Sequence, residues 1–405
     1  MKIVIISDWY SEKMGYAENL LPKALSSLGH EVHLITTNTQ VYFDSLSYKQ
    51  TYEPFLGPGI VDCGVKEIDG YTIHRLPFVK WKKHRLIQIK GIYKKLLEIR
   101  PDIVQTLDSF CLSTMQAVLL SRSLGFKLFG ESHTHASVFL EHEQKMRLID
   151  TVKWSLLGNT VGRFISAHFE TCYPISVDAA EIAARYFGIQ KKKIKICSLG
   201  VDTDFFKLPN DDSAYQVRAA FRAELGFKPS EIVCIYTGRL TEDKNPLCLA
   251  KAINVLVEKG RPFRGLFVGN GTVNHVSAIK QCRGCLVHSF VPASELPNYY
   301  WSSDIGVWPR QESTSQLDAA ACGLPLVLSN RIEVLDRVQG NGILYNEDDH
   351  FDLAEKLSSL EDSKIRMSLG SVGAENVSRK FSWKTIALNR IADYESALGG
   401  NTLDV

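Results

Sequence analysis

The sequence has no apolar run near the ~18 residues that a membrane-spanning helix needs. Its apolar N-terminal stretch, Ile3-Val4-Ile5-Ile6, is too short for the core of a signal peptide, so a cytoplasmic chain is the expectation. Neither charge dominates: 47 Lys and Arg face 45 Asp and Glu, a formal net charge of +2, and no global field draws the chain to nucleic acid. An early Gly-x-Gly-x-x-Gly is missing, which argues against a nicotinamide-dependent enzyme. Short-period repeats and low-complexity tracts are also absent. The nine cysteines are scattered and odd in number, which suits reduced thiols better than a disulfide framework. Cys282 and Cys285 have C-x-x-C spacing, but they lead into a strand and no further ligands stand at zinc spacing, so they read as free thiols in a loop. What is present is ordinary globular composition, 45% hydrophobic and 23% charged, over 405 residues, enough for two domains.

Strand and helix patterns alternate along this length. Residues 3–7 form an apolar strand, 17–28 place Ala17, Leu20, Leu21, Ala24, Leu25 and Leu28 on one helical face, and 31–36 form a second strand, a βαβ opening. Residues 37–70 show no period and read as a long loop or insertion. Strands are expected at 71–76, 101–105, 127–130, 173–176 and 194–197, and helices over 86–97, 140–158 and 177–187. Polar residues 209–213 mark a boundary near Leu208. A second set then opens with a strand at 232–236, followed by a helix over 247–259 and strands from 266, 285, 305 and 326. The fold class is α/β, with domains over 1–207 and 208–380 and a last helix from 381.

Open parallel sheets bind ligands beyond the carboxyl ends of their strands, and two such places carry charge. After the strand at 232–236 comes Gly238-Arg239, then Lys244 just before a helix: a planar fork of donors and a point charge beside a helix N-terminus, suited to a phosphate group. After the strand at 305–308 comes Glu312-Ser313-Thr314-Ser315 and a short helix over 316–322 closed by Gly323 and Pro325. A carboxylate, hydroxyls and a helix start suit a ligand bearing both hydroxyls and phosphate.

These segments resemble retaining GT-B glycosyltransferases of the family 4 type. Gly238-Arg239-Leu240, three residues, Lys244-Asn245 is similar to that family's diphosphate clamp, and Asp318-Ala319-Ala320-Ala321-Cys322-Gly323-Leu324-Pro325 is similar to the second half of its acidic donor-binding segment. The first half departs: five residues separate Glu312 from Asp318, fewer than in the family, and its Phe-Gly is missing. The resemblance implies two Rossmann-like domains facing a central cleft, with the last helix, 381–400, packing back on the first. It implies a metal-independent, retaining transfer of sugar from a UDP-, GDP- or ADP-sugar to a hydroxyl of a glycan, lipid-linked or small-molecule acceptor, without a cofactor. Arg239 and Lys244 would neutralise the diphosphate, Glu312 would hold sugar hydroxyls with Ser313, Thr314 and Ser315 nearby, and Asp318 would hold the ribose. Gly15, Gly269 and Gly271 would stand by the donor, and His133 or His135, with His133 preferred, near the sugar. The spacing of Ser315 and Asp318 also allows a capping role for Asp318. A sugar-nucleotide epimerase or hydrolase of the same fold, or an inactive partner subunit, would share these features.

One local charge excess stands out. Lys80, Lys82, Lys83, Arg85, Lys90, Lys94, Lys95 and Arg100 crowd one segment with Trp81, and Glu98 is the only acid among them. Leu86, Ile89, Tyr93, Leu96 and Leu97 are read as the buried face of the same helix. The cations then face outward, either into solvent or onto an anionic membrane that presents a lipid-linked acceptor.

Overall fold

The computed structural model describes residues 1–12, 14–45, 48–81, 86–134, 139, 148–209, 212–310, 313–332 and 335–399. The chain divides into two compact units, Met1–Leu199 with Ile386–Val405, and Gly200–Thr385.

The first unit holds β1 (Lys2–Ile6), β2 (Glu31–Thr37), β3 (Gly64–Ile68), β4 (Tyr71–Leu76), β5 (Phe78–Trp81), β6 (Leu86–Ile89), β7 (Ile103–Thr106), β8 (Lys127–Ser132) and β9 (Phe169–Pro174). Among the described residues, seven of these make one sheet in the order β3-β4-β2-β1-β7-β8-β9, parallel except for the edge pair β3–β4. β1 lies at its centre, with Ile3, Val4, Ile5 and Ile6 at most 1% exposed. Such a continuous apolar run is what a strand covered by helices on both faces requires.

Three expectations for this unit are corrected. Residues 37–70 are not all loop: they include helices Tyr48–Thr51 and Glu53–Leu56 and the edge strand β3, whose side chains are mostly exposed and so carry no apolar signal. Residues 86–97 are not one helix. β6 pairs with β5 as a hairpin, Ile87 and Ile89 are buried in alternation, and Gln116 holds both backbone groups of Ile89 (3.1 and 2.9 Å). The helix is Ile92–Ile99, starting after the left-handed Gly91, and it buries Ile92, Leu96 and Ile99 while Tyr93 and Leu97 stay exposed. Residues 194–197 run beside β9 through Lys195 N–H to Cys172 O and Cys197 N–H to Pro174 O, without a regular ladder.

The second unit holds β10 (Ile232–Thr237), β11 (Phe263–Val268), β12 (Cys285–His288), β13 (Ile305–Trp308), β14 (Leu326–Ser329) and β15 (Gly342–Tyr345), all parallel in the order β12-β11-β10-β13-β14-β15. Three helices were not anticipated, Asp212–Glu224, Val273–Gln281 and Ser363–Asn376. The division at Gly200, earlier than Leu208, has a physical cause. Val201 N–H donates to Phe381 O (2.8 Å) and Trp383 N–H to Val201 O (3.1 Å), which ties this stretch to the second unit. The last helix, Trp383–Ala397, joins the first unit through Asp393 to Tyr173 and Lys195, and Tyr394 to Gln105.

The helix Asp212–Glu224 brings Arg218 and Arg222 onto Asp304, just before β13. Arg222 is 4% exposed, and Asp304 also accepts from Val233 N–H at 2.8 Å. Removing a buried carboxylate leaves its cation desolvated and unpaired, at a cost of about 3–5 kcal/mol. Asp304→Ala is expected to lose stability of that order in urea unfolding, and Arg218→Ala, whose side chain is 30% exposed, clearly less.

Candidate functional site

In the second unit the carboxyl ends of β11, β10 and β13 lie side by side, and their loops are bound to one another by backbone. Gly238 N–H donates to Val268 O (3.0 Å) and Leu240 N–H to Asn270 O (2.9 Å). The approach is so close that a Cβ on Gly269 would lie 1.9 Å from Gly238 O, and one on Gly271 2.0 Å from Leu240 O. These two glycines therefore have a packing role whatever else approaches them. On the other side Trp308 Nε1–H donates to Thr237 O (3.1 Å), and the hydroxyls of Thr237 and Tyr300 bond at 2.8 Å.

Arg239 leaves this platform with its side chain 71% exposed, touching Asp243 at 3.5 Å. Lys244 is half-buried. Desolvation, with Arg239 nearby, pulls its ammonium below the usual range, and Asp243 works against that. A tight turn, with Lys244 and Asn245 N–H both on Thr241 O, delivers the lysine to the start of helix Pro246–Glu258. Asn245 is left-handed there (φ 48°), a conformation Asn tolerates, and its amide donates to Asp348 (2.7 Å). Asp348 also receives Arg310, and so links the turn after β10 to the loop after β13.

In that loop Glu312, the expected sugar-binding acid, lies outside the described residues, as does Gln311. The helix Thr314–Ala321 begins earlier than expected. Ser313 is its N-cap, accepting from Ser315 N–H (3.3 Å), and buried Arg337 fixes it by donating to Ser313 O and Gln316 Oε1, both at 3.0 Å. Thr314 is exposed and Ser315 half-buried. Asp318 thus sits in the second turn, too far along to cap the helix, so the capping alternative is ruled out. Its carboxyl is half-buried, receives no hydrogen bond from the described residues, and is pushed up to about 8 by desolvation, with Asp202 adding to the effect.

The first unit gathers a different set at the carboxyl ends of β1, β7 and β8. Asp8 follows β1, accepts from Ser113 Oγ at 2.5 Å, and is raised to about 7 by burial against that bond. Gly15 turns left-handed (φ 66°) before helix Ala17–Ser27, whose first turn carries Glu18, 8% exposed and raised to about 7 by burial. His133 follows β8 and its Nε2 bonds Glu131 Oε2 at 2.6 Å. Burial opposes a charge on this ring, but the bond and the nearby Glu131, Glu18 and Asp108 outweigh it, and the imidazole is raised above its ordinary range. His135 lies outside the described residues. Sequence reasoning passed over Asp8, Glu18, Glu131 and Arg337. Asp8 alone had a signal, an acid directly beyond a buried strand.

Two parallel-sheet units of this kind define the GT-B class of fold. The chain is similar over 98% of its length to sucrose-phosphate synthase from Thermosynechococcus elongatus, with 99% of that chain covered, a TM-score of 0.71 and 17% identity. It is similar over the same share to Anabaena HepE in complex with UDP-glucose, with 100% of that chain covered, a TM-score of 0.65 and 17% identity. Residues 20–205 match the family model Glycosyltransferase Family 4, and residues 231–363 match Glycosyl transferases group 1. The chain belongs to the family 4 type of GT-B glycosyltransferases. A D-inositol 3-phosphate glycosyltransferase from Xylanimonas cellulosilytica is 29% identical over 54% of this chain and 55% of its own length. The chain spans between about half and two thirds of the length of the curated relatives it matches.

The desolvated, half-buried acid Asp318 gives a pH signature. A carboxyl held near 8 in the fold, against ~3.9 in the open chain, binds its proton more tightly when folded. Its contribution to stability is full below pH ~4 and is lost as pH rises toward 8. The stability of wild type relative to Asp318→Asn should fall by about 3–4 kcal/mol between pH 5 and pH 8. A constant difference in paired urea titrations would contradict the raised value.

Proposed function

We propose that this chain is a glycosyltransferase that takes a sugar from a nucleotide-diphosphate donor bound by the second unit, with retention at the anomeric carbon and without a metal. The observation that carries this reading is the pair Arg239 and Lys244 in one turn between the carboxyl end of β10 and the N-terminus of helix Pro246–Glu258. As the glycosidic bond breaks, the leaving diphosphate gains negative charge, and fixed cations beside a helix start stabilise that state more than the ground state. Asp318, without a described donor, takes the ribose hydroxyls. Glu312 takes the sugar hydroxyls, and Ser313, Thr314 and Ser315 are assigned to the same donor; Gly15 and His133 are the first unit's candidate substrate-binding residues. A uracil nucleotide has first call, because HepE is a fold relative solved with UDP-glucose. The acceptor is a hydroxyl on a glycan, a lipid-linked sugar or a small molecule.

Arg239→Ala and Lys244→Ala are each expected to lower turnover at least tenfold at saturating donor, about 1.4 kcal/mol of transition-state free energy, with unchanged melting. A thermal-shift screen of UDP, GDP and ADP identifies the base: the matching nucleotide at ~100 times its dissociation constant adds ~2.7 kcal/mol. Near-normal rates in both variants would overturn the clamp.

We also propose that the 80–100 segment rests on an anionic membrane. Lys80 pairs with Asp44 and Lys95 with Glu98, both at 2.5 Å, so the patch is smaller than the sequence suggested. Lys90, Lys94 and Arg100 are exposed, and Lys82, Lys83 and Arg85 lie outside the described residues. Trp81 and Leu119 are 56% and 63% exposed, at a hollow of about 290 Å³ walled by Leu86, Leu112 and Met115. Among the described residues no helix is long and apolar enough to cross a membrane. The chain should sediment with anionic vesicles at low salt, and should lose them at high salt or when Lys82, Lys83, Lys90 and Lys94 become Ser. Equal recovery with neutral vesicles would leave only a non-membrane acceptor.

A further inference from the structure

Glu131 is a buried charge in the first unit that the proposed chemistry leaves unused. Its side chain is 2% exposed and both oxygens are taken. Oε1 accepts from Gln105 Nε2 (2.7 Å) and Arg390 NH2 (3.0 Å), and Oε2 meets His133 Nε2 at 2.6 Å. Arg390, 3% exposed, reaches Glu131 from the last helix, Trp383–Ala397, and lies over the Tyr173 ring at 3.1 Å from its centre. Tyr394, one turn further on, donates to Gln105. Two charges buried together in this way cost desolvation that their attraction only partly returns, so the pair is weak as a device for stability.

The pair does have one polar consequence at the surface. Arg390 holds Glu131 ionised, because the guanidinium, His133 and Gln105 together outweigh the burial that opposes its charge. An ionised carboxylate can only accept, so His133 must donate from Nε2. That leaves Nδ1 as the ring nitrogen open to a ligand, with the side chain 32% exposed and no partner on Nδ1 among the described residues. A ring whose Nε2 was free would meet the same ligand from a different angle. We propose that Glu131, anchored by Arg390, is a positioning residue that fixes the ring of His133 and commits its Nε2–H, so that Nδ1 is the atom offered to the substrate. The groups around the ring are Glu131 near the end of β8, Glu18 on helix Ala17–Ser27 and Asp108 beyond β7; together they favour the imidazolium, which offers Nδ1–H as a donor to a substrate oxygen. The inference rests on the reading of His133 as a site residue.

The test uses the full chain labelled with 13C and 15N at histidine, with the His133 signals assigned by their absence in His133→Gln. In wild type the Nε2 shift should report a protonated nitrogen across pH 5–9, and the ring should titrate above the ordinary ~6.5. Glu131→Gln should lower that midpoint by about one unit or more and mix the two tautomers, while Glu131→Asp restores the wild-type pattern in part. Glu131→Gln leaves Arg390 buried without its anion and is prone to misfold, so Glu131→Gln/Arg390→Met, which removes both charges, is measured beside it. The double variant should melt closer to wild type and still show the lowered midpoint. A His133 titration and tautomer unmoved in a folded Glu131 variant overturns the inference. Donor hydrolysis separates the underlying reading: a normal rate in His133→Gln overturns the role of His133, whatever the spectra show.

Discussion

The second unit depends on a contact between two backbones. The loops after β10 and β11 lie so close that the carbonyls of Gly238 and Leu240 occupy the space where side chains at Gly269 and Gly271 would begin. This approach fixes the start of the loop that carries Arg239 and Lys244. The turn on Thr241, the left-handed Asn245 and the helix from Pro246 then follow with little freedom. Two further supports reach the same place from β13 and β15, Trp308 on Thr237 and Asp348 between Asn245 and Arg310. A proposed anion site made of one exposed and one half-buried cation thus stands on a backbone held by hydrogen bonds. Preorganisation of that kind gives a fixed charge its effect on a transition state.

Polar groups with raised or contested protonation are concentrated at the carboxyl ends of both sheets. Asp318 in one unit, and Asp8 and Glu18 in the other, are carboxyls that burial holds nearer to neutrality than water would. Glu131 is the opposite case, an acid kept charged by Arg390 and His133. Desolvated carboxyls with few donors are ready acceptors for hydroxyls, and a sugar supplies many. Within each unit the same topology that puts loops at one end of a parallel sheet puts this unspent polarity there as well.

The fold was legible wherever burial on both faces writes an apolar run, as in β1, β10 and β13, and wherever a Gly or Pro closes a helix, as at Gly323 and Pro325. It was illegible where the physical signal is weak or shared. β3 is an exposed edge with no apolar pattern. β6 has buried residues two apart that continue into a true helix, so a single helical period was fitted across a strand and a turn. The helix Asp212–Glu224 follows a polar stretch that reads as linker, and its anchoring cations find Asp304 only in three dimensions. Of the candidate site, Arg239, Lys244 and Asp318 could be read from local order. The cap at Ser313, the brace of Arg337 and the Arg390–Glu131–His133 chain could not, because their partners are distant in sequence.

The central claim is that Arg239 and Lys244 recognise a diphosphate. Calorimetric titration of the full chain with the diphosphate and the monophosphate of the same nucleoside isolates that group. The account predicts that the diphosphate binds at least tenfold more tightly to wild type, and that this advantage disappears in the Arg239→Ala/Lys244→Ala double variant while the monophosphate still binds. An advantage of the same size in both proteins would contradict it.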